Sequence, residues 1–298
     1  MTYGLEYFKK LWHTRSMSPI SHSAEIWDER ALEWIDDLSP DRGGKRSMHE
    51  RVEFTTDYLL NRGLLGAEHT VVDVGCGPGL FVLEFAKHVK KSVGMDYSQR
   101  FMDYGAELAA SQGLTNTEFR REDFFAFDVA ASGLAGAFDL VFTSITPAAS
   151  GEGCLEKLMQ LSRGYCYNAS FVHAGDSLAE RIARDVFNEQ FTSRYNGEGF
   201  YALLNLLWFE GYYPETYYYD DYRTEIVTPT HRTAQKAASA CGHHTDEDAQ
   251  KVLRYLEKLG EVERVSDFRY GSLLWDVRTR HTRRDATRID MALTEDKD

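Results

Sequence analysis

The chain has few cysteines, no long apolar run and a deficit of positive charge. Its four cysteines, Cys76, Cys154, Cys166 and Cys241, are scattered over 298 residues without metal-ligand or redox spacing. They argue against a metal centre and for reduced thiols in a cytoplasm. No stretch of about 18 apolar residues occurs, so no membrane span is expected. Residues Met1-Thr2-Tyr3-Gly4-Leu5-Glu6 lack the basic stretch and apolar core of a secretory leader, so none is expected. Lysine and arginine number 34 against 47 acidic residues, a formal charge of −13. A nucleic-acid enzyme needs a basic face for phosphates. The one basic cluster is Arg278, Arg280, His281, Arg283, Arg284 and Arg288. Asp285, Asp290, Glu295, Asp296 and Asp298 interleave with it or follow it, so it reads as the solvated end of a last strand and its tail. A small molecule, not nucleic acid or membrane, is the expected partner.

What is present is a strand, a glycine turn and a helix. Val71-Val72-Asp73-Val74 is an apolar run of the kind that forms a buried parallel strand. Gly75-Cys76-Gly77-Pro78-Gly79 then places glycines at alternate positions, and Leu80 to Lys87 reads as a helix. This is the opening unit of a nucleotide-binding α/β domain. The dinucleotide fingerprint wants its third glycine at position 80, where this chain has Leu80; here it falls one early, at Gly79. Cys76 reads as a small turn residue, with no activating base near it in sequence.

The stretch Asp73–Gly79 resembles motif I of the class I S-adenosylmethionine-dependent methyltransferases, acid-x-Gly-x-Gly-x-Gly. The remaining motifs follow in order. Lys91 to Asp96 reads as a second strand ending in an acid 21 positions after Gly75, about where a carboxylate holds a ribose diol. Thr117–Arg120 reads as a third strand. After it, Glu122-Asp123-Phe124 resembles the family's adenine contact. Phe138–Ser144 matches the strand-four motif, and Gly164–Phe171 reads as a fifth strand. The resemblance implies a Rossmann-like seven-stranded, mostly parallel sheet with helices on both faces. It implies S-adenosylmethionine as cofactor, held by Asp73, Gly75, Gly77, Gly79, Asp96, Tyr97, Asp123, Phe124 and Thr143. Asp73 and Asp96 each have a structural alternative, as caps of the following turn or helix.

Around this core the chain is elaborated. Residues 1–47 read as an N-terminal helical lid: an amphipathic start over Glu6–Trp12, a break at Met17–Ser21, and a second helix over Ser23–Asp37 with Ile26, Trp27, Ala31, Trp34 and Ile35 at helical spacing. Trp27 is expected to face the pocket and Trp34 only to pack the lid. Asp41–Ser47 reads as a hinge. The binding core is expected over 48–172. Residues 173–221 are expected to form a helical, aromatic-rich insertion after strand five, with a helix over Ser177–Gln190. Tyr195 to Tyr222 holds 8 of the 17 tyrosines, giving walls for a substrate or cation, or a dimer surface. Residues 222–280 are expected to complete the sheet: a strand over Tyr222–Thr228, helices over Arg232–Ala240 and Asp246–Leu259, and a closing strand or hairpin over Val262–Val277. Residues 281–298 form a tail. Cys241-Gly242-His243-His244 reads as a helix C-cap and polar loop, not a metal site.

For chemistry, the strand ends and lids are the places to look. His173 and Tyr167 are the expected catalytic residues, with Trp27, Asn168, Asn205 and Tyr212 facing substrate. The chain has Ser144-Ile145-Thr146-Pro147 where the amino-directed methyltransferases carry Asn-Pro-Pro-aromatic. Three functions fit the residues: methyl transfer to a small molecule, cleavage or cyclisation of S-adenosylmethionine as sole substrate with release of methylthioadenosine, or cofactor binding without catalysis.

Overall fold

The computed structural model describes residues 4–14, 23–38, 46–193 and 195–281. The break at Met17–Ser21, residues 41–45 of the hinge expected over Asp41–Ser47, and the tail beyond His281, with Arg283, Arg284 and Arg288, lie outside the described residues; Arg46 and Ser47 open a helix instead.

Seven strands form one sheet in the order β3-β2-β1-β4-β5-β7-β6. The parallel strands are β1 (Thr70–Val74), β2 (Lys91–Asp96), β3 (Thr117–Arg121), β4 (Phe138–Ser144) and β5 (Ser162–Asp176). β7 (Val262–Asp276) inserts antiparallel between β5 and β6 (Glu215–Val227). The chain reverses its order of strand addition between β1 and β4. In open α/β sheets the crevice at such a reversal, outside the carboxyl ends of the strands, takes the ligand.

Side chains alternate along β1 and so feed two cores. Val72 and Val74 join a cluster with Phe8 and Trp12 of α1 (Leu5–His13), Leu155 and Leu158 of α7 (Cys154–Leu161), and Leu203 and Leu207 of α9 (Glu198–Phe209). Val71 faces the other way, onto Val52 and Leu59 of α3 (Arg46–Asn61) and Phe81 and Phe85 of α4 (Leu80–Ala86). Asp73 shares the parity of Val71 and is carried under the glycine turn on that second face. Ala31 of α2 (Ala24–Leu38) packs on Phe101 and Met102 of α5 (Gln99–Ser111). The short α6 (Val129–Ser132) follows β3. A satellite core lies where α8 (Ser177–Ile182), α10 (His231–Ala240) and α11 (Asp246–Leu259) meet Val227 and Val262.

Strands one to four, the two late helices and the closing strand form where the sequence predicts them. The segment after strand five differs. β5 runs on to Asp176, and β6 begins at Glu215. The helix expected over Ser177–Gln190 stops at Ile182 and continues as a π-turn over Ala183–Phe187. Tyr217, Tyr218 and Tyr219 are therefore strand residues, not walls of an insertion, while Tyr222 lies in the strand as expected. Tyr217 stacks on Tyr58 of α3 at 4.5 Å and on Phe54 at 5.2 Å, while Tyr218 and Tyr222 are exposed. The tyrosines mask the strand because they occupy both of its faces, leaving no polar–apolar alternation to read.

Candidate active site

A cavity of about 500 Å³ opens at the carboxyl ends of the strands. Its floor begins at the glycine turn. Gly75, Gly77 and Gly79 all have left-handed φ, at 73°, 54° and 79°. At Gly75 a Cβ would overlap Thr146 Oγ1, so the turn nests against the segment after β4. Nothing lies within 4 Å of the Cβ position at Gly77, which lines the cavity. Gly79 serves packing: its missing Cβ makes room for the Phe119 ring, which also fills hollows at Gly94 and Gly105. Gly79 does not line the cavity.

Asp96 ends β2 at the cavity wall. Its Oδ2 accepts from Gly77 N at 2.9 Å and its Oδ1 from Ser98 N at 3.0 Å. Each oxygen retains acceptor capacity, which a ribose diol can use. Burial pushes its carboxyl above the usual range, against the pull of these backbone donors. Asp73 is 2% exposed, and its Oδ1 is buried without a hydrogen-bond partner. Burial and the Asp96 charge push its carboxyl well above the ordinary carboxylate range, with Arg51 opposing. An unpartnered buried acceptor costs about 1–3 kcal/mol, and a cationic donor in the cavity relieves that cost. Burial also pushes the Cys76 thiol well up, so it is no nucleophile.

Among the other expected cofactor residues, Tyr97 and Phe124 line the cavity. Asp123 lies behind the lining: its Oδ1 accepts from Phe125 N and Ala126 N, and its carboxylate bonds Tyr97. Thr143 is wholly buried, donating to Tyr167 O at 3.0 Å.

The two catalytic expectations fall outside the cavity. His173 lies on β5, not in a loop after it, and its Nε2 meets Asp267 Oδ2 at 2.7 Å on an exposed stretch. Tyr167 is buried with its hydroxyl 2.6 Å from Ser272 Oγ and its ring stacked on Phe142. Of the four substrate expectations, Trp27 lines the cavity. Asn168 is buried on Thr143 Oγ1, Asn205 donates to Tyr201 O within α9, and Tyr212 packs on the core. Trp34, expected only to pack, lines the cavity beside Trp27.

Several lining residues had no sequence motif. Arg51 donates to Ser144 Oγ at 2.8 Å and sits between the rings of Phe81 and Tyr270, 5.4 and 5.3 Å from their centroids. Its one available signal is position: it lies four before the buried Thr55 and eight before the buried Leu59, on the inward stripe of α3. Ile145 follows β4 at φ 54°, a left-handed conformation that a β-branched residue adopts only under strain. Phe171, Tyr195, Arg223, Phe268 and Tyr270 complete the lining at the far end. Among the described residues no cluster fit for a metal ion occurs, and no helix is long and apolar enough to cross a membrane.

Comparison with known proteins agrees with this geometry. Residues 65–199 match the family model described as a methyltransferase domain. The EEF1A lysine methyltransferase 2 of Mus musculus is 26% identical over 180 residues, covering 56% of this chain and 70% of the mouse protein. The human protein of the same name is 27% identical, covering 56% and 73%. The crystal structure of magnesium protoporphyrin IX methyltransferase from Synechocystis PCC 6803 with bound S-adenosylhomocysteine superposes with TM-score 0.50. It is 12% identical and covers 84% of this chain and 97% of its own, a likeness of fold. Residues 65–199 are thus a methyltransferase domain, the fold is that of the S-adenosylmethionine-dependent methyltransferases, and S-adenosylmethionine is the cofactor these findings support.

The residues present fit that cofactor: Asp96 would have free acceptor capacity for ribose hydroxyls, the unpartnered Asp73 Oδ1 would accept from an ammonium group, and Tyr97, Phe101 and Phe124 would flank a ring.

Proposed function

We propose that the chain transfers a methyl group to a small-molecule acceptor in a cytoplasmic setting, where its four free thiols stay reduced. The observation that carries this reading is the extent of the cavity. Its lining runs from Asp96 on β2 past Asp73 on β1 and Ser144 on β4 to Phe171 on β5, Tyr270 on β7 and Arg223 on β6. That path is five strand spacings, about 24 Å. The cofactor residues occupy the β2–β1–β4 part, which leaves the β5–β7–β6 part for a second ligand. From the opposite side α2 contributes Trp27, Arg30, Glu33 and Trp34, and α3 contributes Met48, Arg51 and Val52.

S-adenosylmethionine supplies a methyl carbon already activated by its sulfonium sulfur. The chain's own task is to hold the acceptor atom in line with that carbon and to exclude water. The rings of Trp27, Phe81, Phe171 and Tyr270 give walls for both. The acceptor's lone pair forms the new bond to carbon, the carbon–sulfur pair returns to sulfur, and any acceptor proton leaves to solvent or to a lining group.

The test uses S-adenosylmethionine labelled in its methyl group. Purified protein is incubated with it alone, with a protein-free metabolite fraction, and with the protein fraction of the same extract. Label in the metabolite fraction, with equal S-adenosylhomocysteine, is expected. Methylthioadenosine formed without acceptor would instead mark the cofactor as sole substrate, and label confined to protein would mark a protein methyltransferase.

A further inference from the structure

The half of the cavity beyond β4 is aromatic and positively charged. Of the lining residues that α3 and the strands beyond β4 contribute, the charged ones are Arg51 and Arg223. Around them the rings form a continuous wall: Tyr195 lies 4.3 Å from Phe171, and Phe171 lies 5.0 Å from Tyr270 and 5.9 Å from Phe268, centroid to centroid.

The two guanidinium groups are not equally compensated. Arg223 turns Nε and Nη2 to the single oxygen Asp221 Oδ2, at 3.0 and 2.5 Å, and lays its plane over Phe268 at 5.0 Å. Its Nη1 edge takes no part in that pair. Arg51 forms no ion pair among the described residues; its one hydrogen bond goes to the Ser144 hydroxyl. Arg223 opposes the charge on Arg51, while the carboxyl of Asp73 on β1 supports it from beyond ion-pair distance. Two cations, one of them unpaired, in an apolar-walled pocket are costly unless an anion joins them. A carboxylate matches the planar fork of each guanidinium, and a flat ring system matches the aromatic wall.

We propose that the acceptor is a planar, ring-bearing carboxylate. Phe171, Tyr195, Phe268 and Tyr270 enclose its body, and Arg51 and Arg223 hold its carboxylate. This rests on the small-molecule reading above and names the substrate class of the same cavity. The carboxylate is the recognition group, since its charge is spent on the arginines.

The cofactor carries a carboxylate of its own, so the experiment keeps that one constant. Protein loaded with S-adenosylhomocysteine is titrated with 2-naphthoate and with its neutral isostere 2-naphthamide, followed by naphthyl fluorescence. The acid is expected to bind at least about tenfold tighter than the amide, as charge-assisted hydrogen bonds predict. Arg51→Gln and Arg223→Gln should each shrink the acid-to-amide ratio at least about threefold, and the two together should bring it to within about twofold. Because Arg223→Gln strands the buried Asp221, the double variant Asp221→Asn with Arg223→Gln repeats the measurement in a neutral background. Equal binding of acid and amide by the unmodified protein overturns the proposal. So does a preference that survives the arginine substitutions, or an Arg51→Gln that loses S-adenosylhomocysteine yet keeps the acid preference. Failure to bind S-adenosylhomocysteine sinks the methyl-transfer reading instead, and the acid-to-amide ratio is then read on the unloaded protein.

Discussion

Asp73 enters the sheet with one carboxylate oxygen unpartnered, and its raised proton affinity follows from that burial. Binding a cofactor ammonium requires the ionised form. Affinity for S-adenosylmethionine should therefore fall as pH drops through the raised value, at a higher pH than an ordinary carboxylate would give. Asp73→Asn should weaken binding by roughly tenfold to a hundredfold and flatten this dependence, read by calorimetry across pH. Asp139 is the opposite case. It accepts from Thr70 N at 2.7 Å and holds Arg163 through both oxygens, at 2.8 and 2.6 Å. These donors pull its carboxyl down to about 2. Its contribution to stability is whole above the ordinary carboxylate pKa and is lost as pH falls through about 2. Asp139→Asn should cost about 1–3 kcal/mol at neutral pH and shrink the acid limb of the stability curve, measured by urea unfolding. At this scale the sequence was informative wherever a motif fixes backbone, as at Gly75, Gly77 and Asp96. It was silent where a side chain acts through packing from a distant element. Nothing local distinguishes Arg51 or Arg223 from a solvated arginine, and nothing local shows that His173 is spent on Asp267, 94 positions away.

Among the elements, α5 shows packing overruling propensity. Alanine for Gly105 would favour the helix by about 1 kcal/mol. Its Cβ, however, would come within 2.5 Å of the Phe119 ring, which Gly79 and Gly94 already enclose. Gly105→Ala should thus lower the melting temperature, and the sign of that shift is the test. Helix α2 is tied to the same helix by Asp28, whose Oδ1 accepts from the Ser98 hydroxyl at 2.5 Å and from Arg100 N at 3.3 Å. Asp28→Ala should loosen α2 and raise the KM for S-adenosylmethionine with little change in global unfolding. A fall in stability equal to the loss of affinity would refute that division. Strands β1, β2 and β4 were readable as short runs with apolar centres that run to Gly75, Asp96 and Ser144, and β3 by its place in the motif order. β5 was cut short before Val172-His173-Ala174-Gly175-Asp176, which carries no apolar run, and β6 was begun late because Tyr217, Tyr218 and Tyr219 put tyrosine on both of its faces and leave no period-two signal.

For the whole molecule, a cofactor that binds only the folded state stabilises it by mass action. Saturation at a hundredfold over the dissociation constant gives about 2.7 kcal/mol. The melting temperature should rise accordingly with S-adenosylmethionine, with slowed amide exchange in α2 and α3, two of the helices that line the cavity. Exchange unchanged in both would contradict their place in the site. In the described part of the basic cluster, Arg278 pairs with Asp276 and Arg280 with Glu210.

The position of β7 bears on the order in which the site comes into being during synthesis. β6 touches the sheet only through β7. Until residues 262–276 leave the ribosome, β6 has no neighbour to pair with, while β1 to β5 are complete about ninety residues earlier. The β2–β1–β4 part of the cavity wall thus precedes the β7–β6 part in time. A nascent chain stalled before Val262 should retain S-adenosylhomocysteine and show no acid preference toward naphthoate. Folding of the N-terminal part first makes that intermediate accessible.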